Sequence, residues 1–193
     1  MTKKIPKYDF NYFNVRNNAW EFLIKNDIKT YPLDLRLIAA NNDWNICSYS
    51  KYCQIARINM DTLIKLHNSG FTKIIDNSIY IFYNQNNPRQ VNRFTICHEI
   101  GHIVLKHLYK GDKLEKEANM FASRILMPMI LIKELDITTP KELANLCDVS
   151  IEAATYRLKR FNEISGRERF YTNPLEIKVY NLLKDYINFK RSK

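Results

Sequence analysis

The chain has 193 residues, 46% hydrophobic and 12% aromatic, enough to bury a core in one domain or in a domain with a small appendage. No run approaches the roughly 18 consecutive apolar residues that cross a bilayer, and the basic start MTKKIPKYDFNYF lacks the apolar stretch of a secretory signal, so a cytoplasmic protein without a membrane is expected. Thirty Lys and Arg against 20 Asp and Glu give a net charge of +10, which admits an acidic partner such as nucleic acid, although the Asn-, Ile-, Lys- and Tyr-rich text is equally what AT-rich coding yields without one.

The first element is a helix around Ala19 to Lys25, followed by YPLDLRLIAANN, where Pro32 suits the first turn of a helix burying Leu33, Leu37 and Ile38. Short strand-like runs come next. The best is KIIDNSIYIFYN, with Asp76 and Asn77 as the turn between Lys73–Ile75 and a run Ile79–Tyr83 that is apolar on both faces and therefore largely covered. After NQNNP, with Asn87 as cap and Pro88 as first residue, the periodicity becomes helical. A second helix runs from about Asp112 to Met127 and stops at Pro128. In TTPKELANLCDVSIEAATYRLKRF, Thr139, Pro140 and Glu142 open one short helix with a capping box and Ser150 caps another. The last helix starts at Asn173-Pro174 and carries Leu175, Val179, Leu182, Leu183, Tyr186 and Ile187 on one stripe. The four cysteines, Cys47, Cys53, Cys97 and Cys147, form no CxxC pair and read as buried thiols rather than metal ligands. The result is an α+β chain with its strands in the first half.

The chemistry lies in RFTICHEIGHIVLKH, Arg93 to His107. Residues four apart on a helix nearly superpose, so His98 and His102 leave one face together and can chelate one ion. Zinc suits them: it accepts imidazole nitrogen and, in hydrolytic sites, takes three protein ligands and leaves one position open. Glu99, beside the first histidine, has the place of a general base that is not itself a ligand. Gly101 weakens the helix by roughly 1 kcal/mol relative to alanine, which makes sense if another element comes close there. His107 should point to another side of the helix, as Cys97 does, and His67 in LIKLHNSG reads as a surface or hydrogen-bonded histidine, so none of the three is expected in the site.

A third ligand is sought in KLEKEANMFASRILMP. Glu115 heads a stripe through Ala118, Asn119 and Ala122, whose small side chains allow a close approach, while Glu117 lies on another line with Phe121 and Arg124. Glu115 is the favoured ligand and Glu117 the alternative; their structural roles would be a capping-box residue after Asp112 and an i,i+4 partner of Lys113. Asn119 could orient a ligand from behind.

The succession of RFTICHEIGHIVLKH, EKEANMFASRILMP and ELANLCDVSIEAATYRL resembles the ImmA/IrrE family of zinc metallopeptidases, over roughly Phe94 to Leu158. The resemblance implies a gluzincin-like site with His98, His102 and Glu115 on zinc and Glu99 as base. It implies a small zincin-like antiparallel or mixed sheet over the HExxH helix. Residues 1–135 would form this metallopeptidase core and 136–193 a helical subdomain with a helix-turn-helix-like pair. The implied substrate is a helix-turn-helix repressor of a phage, mobile element or stress response. The alternative is a DNA-binding or protein-binding regulator using the helix-turn-helix-like pair, with the zinc site structural or inactive; in the DNA-binding form Tyr156, Arg157, Lys159 and Arg160 face phosphate.

Overall fold

The computed structural model describes residues 11–109, 111–165 and 170–192, and it is a mixed α+β fold. Helix α1, Tyr12–Lys25, starts earlier than its apolar spacing suggests because the Asn11 side chain accepts from the Asn14 amide. Helix α2, Leu35–Asn41, starts where the Asp34 carboxylate takes the Arg36 and Leu37 amides. Pro32 therefore lies ahead of the helix instead of in its first turn. A helix begun at Leu35 turns Leu35 and Ile38 inward and leaves Leu37 exposed, contrary to expectation, while Leu33 is buried in the preceding segment.

Strand β1, Trp44–Ser48, is followed by two short helices, α3 (Tyr49–Ala56) and α4 (Met60–Leu66), in a stretch that reads as strand-like. Ser48 and Asn59 cap them, and the runs are too short for periodicity to separate helix from strand. Strands β2 (Gly70–Ile75) and β3 (Ser78–Tyr83) form the expected hairpin. Asp76 and Asn77 both adopt positive φ, 48° and 61°, the backbone of a two-residue turn matched to strand twist. The sheet order is β1-β3-β2, with β3 parallel to β1 and antiparallel to β2, so β2 is an edge.

Alternation along the strands divides the two faces of the sheet. Phe71 and Phe82, opposite each other in register, join Tyr49 and Leu63 in a small apolar cluster beneath α3 and α4. Thr72 and Ile81, the next pair, face the other way, where Ile81 joins the main core and Thr72 reaches α5 (Arg89–Val104). The main core continues through α6 (Asp112–Leu126), α7 (Met129–Glu134), α8 (Pro140–Cys147), α9 (Ile151–Ser165) and α10 (Pro174–Arg191), joining Val15 and Phe22 to Ile125, Leu143, Leu158 and Val179. The predicted starts of α8 and α10 are present: Thr139 and Glu142 exchange capping hydrogen bonds, and Asn173 caps the helix that begins at Pro174. Ser150 also caps as predicted, accepting from the Ala153 amide.

Two expectations fail on burial. Arg157 points into the core, where its Nε donates to the Met127 carbonyl at 2.7 Å, and Arg160 pairs with Glu163 at 3.2 Å. Of the four residues considered for phosphate only Arg157 is buried; Tyr156 and Lys159 are exposed and Arg160 is half-buried. The cysteines are also split: Cys97 and Cys147 are buried, whereas Cys47 and Cys53, at the sheet edge and in α3, are only partly covered.

Candidate metal centre

Helix α5 is anchored at its N-terminal half. Arg93 donates from Nε to the Asp148 carbonyl and from Nη2 to the Leu33 carbonyl, both at 3.0 Å, tying the helix to the end of α8 and to the segment before α2. Farther along, α6 packs across it at Gly101. A Cβ built on Gly101 would stand 3.1 Å from Ala118 Cα and 3.2 Å from the Ala118 carbonyl oxygen. Only a residue without a side chain allows this approach, and Ala118 and Ala122 supply the matching small side chains on α6.

The approach brings three predicted residues together. His98 Nε2 lies 3.0 Å from His102 Nε2, and Glu115 places one oxygen 3.1 Å from His98 Nε2 and the other 3.5 Å from His102 Nε2. One ligand atom from each residue falls within 4.8 Å of the others, the one such cluster among the described residues. Bonds of about 2.0–2.1 Å from a tetrahedral zinc put its ligand atoms about 3.3–3.4 Å apart, close to these separations. The donors, two imidazole nitrogens and a carboxylate, also suit zinc.

The outer nitrogens of both rings are engaged. Asn119 Oδ1 lies 2.8 Å from His98 Nδ1, so that nitrogen carries the proton and Nε2 keeps its lone pair. Burial first, then the neighbouring His98, pushes His102 down to about 4, against the opposing pull of Glu115. At neutral pH His102 is therefore an uncharged imidazole, the form that binds a metal.

Glu99, on the same helix, accepts a hydrogen bond from Thr72 Oγ1 at 2.8 Å, the contact prepared by the strand alternation described above. No feature of the sequence pointed to Thr72. His107 likewise contradicts expectation. Helix α5 ends at Val104, and Lys106 takes a positive φ of 57°, so the chain doubles back and sets His107 Nδ1 2.9 Å from His102 Nδ1. The projection of His107 to another side assumed a helix that had already stopped. Glu117 also departs from both of its expected roles: it lies apart from the three-residue cluster and, buried, pairs with His107 Nε2 at 3.2 Å rather than with Lys113. His67 stacks on Phe71 with ring centroids 4.3 Å apart, at the rim of the cleft.

The cluster lies in an open cleft of about 850 Å³, walled by β2 from Gly70 to Lys73 on one side and by Leu108 and Tyr109 on another. Leu108 is 94% exposed and Tyr109 73%, so the cleft mouth is apolar on that side. A second, smaller groove, of about 440 Å³, shares Ser69, Phe94 and Thr95 with the cleft and extends it to Ala153 and Tyr156 of α9.

The family described as the IrrE N-terminal-like domain, Peptidase_M78, matches residues 63–159, half of the chain, and the matched span holds every residue of the cluster. The chain is also similar to a Bacillus phage phi105 protein named uncharacterized immunity region protein 2, with 31% identity over 42% of this chain and 66% of that protein. The match thus spans just under two thirds of the length of this curated relative.

Proposed function

The chain belongs to the IrrE N-terminal-like domain family, and on that premise we propose that it is a zinc-dependent endopeptidase cutting a protein regulator, a helix-turn-helix repressor of a phage, mobile element or stress response. The observation that carries the reading is the convergence of His98, His102 and Glu115 beside Glu99 in an open cleft. His98, His102 and Glu115 would hold the metal, and Asn119 fixes the His98 ring. Bound zinc would supply Lewis acidity, activating a water and polarising the scissile carbonyl.

Glu99 is the base that takes the proton from that water and returns it to the leaving amine. Thr72 Oγ1 donates to one Glu99 oxygen and so fixes the carboxylate beside the ligand cluster. The substrate enters as an extended segment, because β2 is the outer strand of the sheet among the described residues and lines the cleft, where backbone pairing would lay a peptide over Glu99 without requiring a particular sequence. The smaller groove toward Tyr156 then accommodates side chains beyond the cut. The immunity-region name of the phage relative supports a repressor as substrate. No helix among the described residues is long and apolar enough to cross a membrane, consistent with action on a cytoplasmic regulator. The inward turn of Arg157 weighs against the DNA-binding alternative.

Co-expression with the regulator encoded beside the gene, followed by mass spectrometry of that regulator, tests the proposal. Wild type should yield defined fragments, and Glu99→Gln should keep its zinc and yield none, since an amide cannot accept the proton. An intact regulator with zinc-loaded wild type, or fragments with Glu99→Gln, would refute it.

A further inference from the structure

We infer that Glu117 and His107 form a buried positioning arm that sets the proton on His102 and so presents its Nε2 lone pair to the metal. This rests on the zinc reading above and extends it to two residues outside the ligand set. The arm is continuous: Glu117 Oε2 to His107 Nε2 is 3.2 Å, His107 Nδ1 to His102 Nδ1 is 2.9 Å, and His102 Nε2 faces His98 and Glu115. The side chains of His107 and Glu117 are 5% and 9% exposed, so water does not substitute for either.

The direction of every proton follows from one end. A carboxylate only accepts, so Glu117 requires a proton on His107 Nε2. With a single ring proton, held on Nε2 by Glu117, His107 has a lone pair on Nδ1. The two Nδ1 atoms, 2.9 Å apart, share one proton, which then belongs to His102 Nδ1, whereas the 3.0 Å between the Nε2 atoms of His98 and His102 is the gap that a metal would bridge. His102 Nε2 is left bare. On the other side Asn119 achieves the same for His98 in one step. The other Glu117 oxygen is held too, accepting from the Asn11 amide at 3.4 Å, which ties the start of α1 to the arm.

This last contact makes the inference sharply testable. In Glu117→Gln the amide oxygen remains opposite the Asn11 N–H, which turns the amide NH2 toward His107 Nε2. The arm is then reversed: His107 protonates on Nδ1, His102 on Nε2, and the metal-facing lone pair is lost. A residue that merely fills space would not respond to an exchange of oxygen for NH2. In His107→Phe the ring is kept and both nitrogens are lost, whereas in His107→Asn the Oδ1 can still accept from His102 Nδ1–H.

The experiment measures zinc affinity at one pH by competition with a chromogenic chelator. Circular dichroism of the metal-free proteins reports the fold separately. Glu117→Gln and His107→Phe should bind zinc roughly 10- to 100-fold more weakly than wild type, the usual loss for a partner behind a ligand, with His107→Asn partly restored. In zinc-loaded wild type, long-range proton–nitrogen spectra should show His107 protonated on Nε2. Unchanged affinity in folded Glu117→Gln and His107→Phe, or His107 protonated on Nδ1, overturns the inference while leaving the peptidase reading intact. Wild type that binds no zinc overturns both.

Discussion

Gly101→Ala tests whether the contact between α5 and α6 sets the site. The new Cβ would meet Ala118 Cα at 3.1 Å, the Ala118 oxygen at 3.2 Å and Phe121 Cδ1 at 3.3 Å, against an ordinary carbon–carbon contact of about 3.5–4.0 Å. Two of these three atoms are backbone, and the third is the ring of a fully buried phenylalanine, so the helices themselves must separate by about half an ångström. Overpacking of this kind costs roughly 1–3 kcal/mol. Alanine returns roughly 1 kcal/mol through better helix propensity. The net is a loss of about 0–2 kcal/mol in the metal-free protein. Glu115 lies one turn before Ala118 on the displaced helix, so its 3.1 Å and 3.5 Å separations from the histidines open as well. Zinc affinity should fall roughly tenfold, the lower end for losses behind the ligands. Urea unfolding of the metal-free protein gives the first quantity and chelator competition the second. A variant more stable than wild type with unchanged zinc affinity would show that the contact is soft and the reasoning wrong.

Thr72→Val keeps the shape of β2 and removes the hydrogen bond to Glu99; zinc content should be unchanged and cleavage slowed roughly tenfold, the weight of one hydrogen bond to a charged group, and an unchanged rate would remove Thr72 from the site. Glu115→Ala should weaken zinc by more than the roughly 10- to 100-fold of an outer partner, measured by the same competition; full zinc retention would exclude it as a ligand. Burial pushes the thiols of Cys97 and Cys147 up to about 12, so in the folded protein a disulfide reagent near pH 8 should modify Cys47 and Cys53 quickly and the buried pair only on unfolding. Because these pKa values are raised on folding, the stability they contribute is complete below about 9 and is lost as pH rises from there toward 12; four thiols reacting at one rate would contradict this burial.

What the sequence determined by itself is local. The two-residue turn at Asp76 and Asn77, the capping box of Thr139 and Glu142, the Asn173 cap and the pairing of His98 with His102 each follow from residues within a few positions of one another, where backbone geometry leaves little choice. The nearness of Glu115 was legible for a related reason: Gly101 and the Ala118 stripe announce a close crossing, and helical period places Glu115 on the crossing face. Only the tertiary structure decided where separate elements meet. Thr72 reaches Glu99 because β2 pairs with β3 in one register, and a shift by one residue would turn it to the other face. Arg157 turns inward because the Met127 carbonyl waits there, 30 positions away in the chain. His107 joins His102 because the helix ends at Val104 and Lys106 bends left-handed, a conformation that no glycine marks, and Glu117 finds His107 only after that bend has been made.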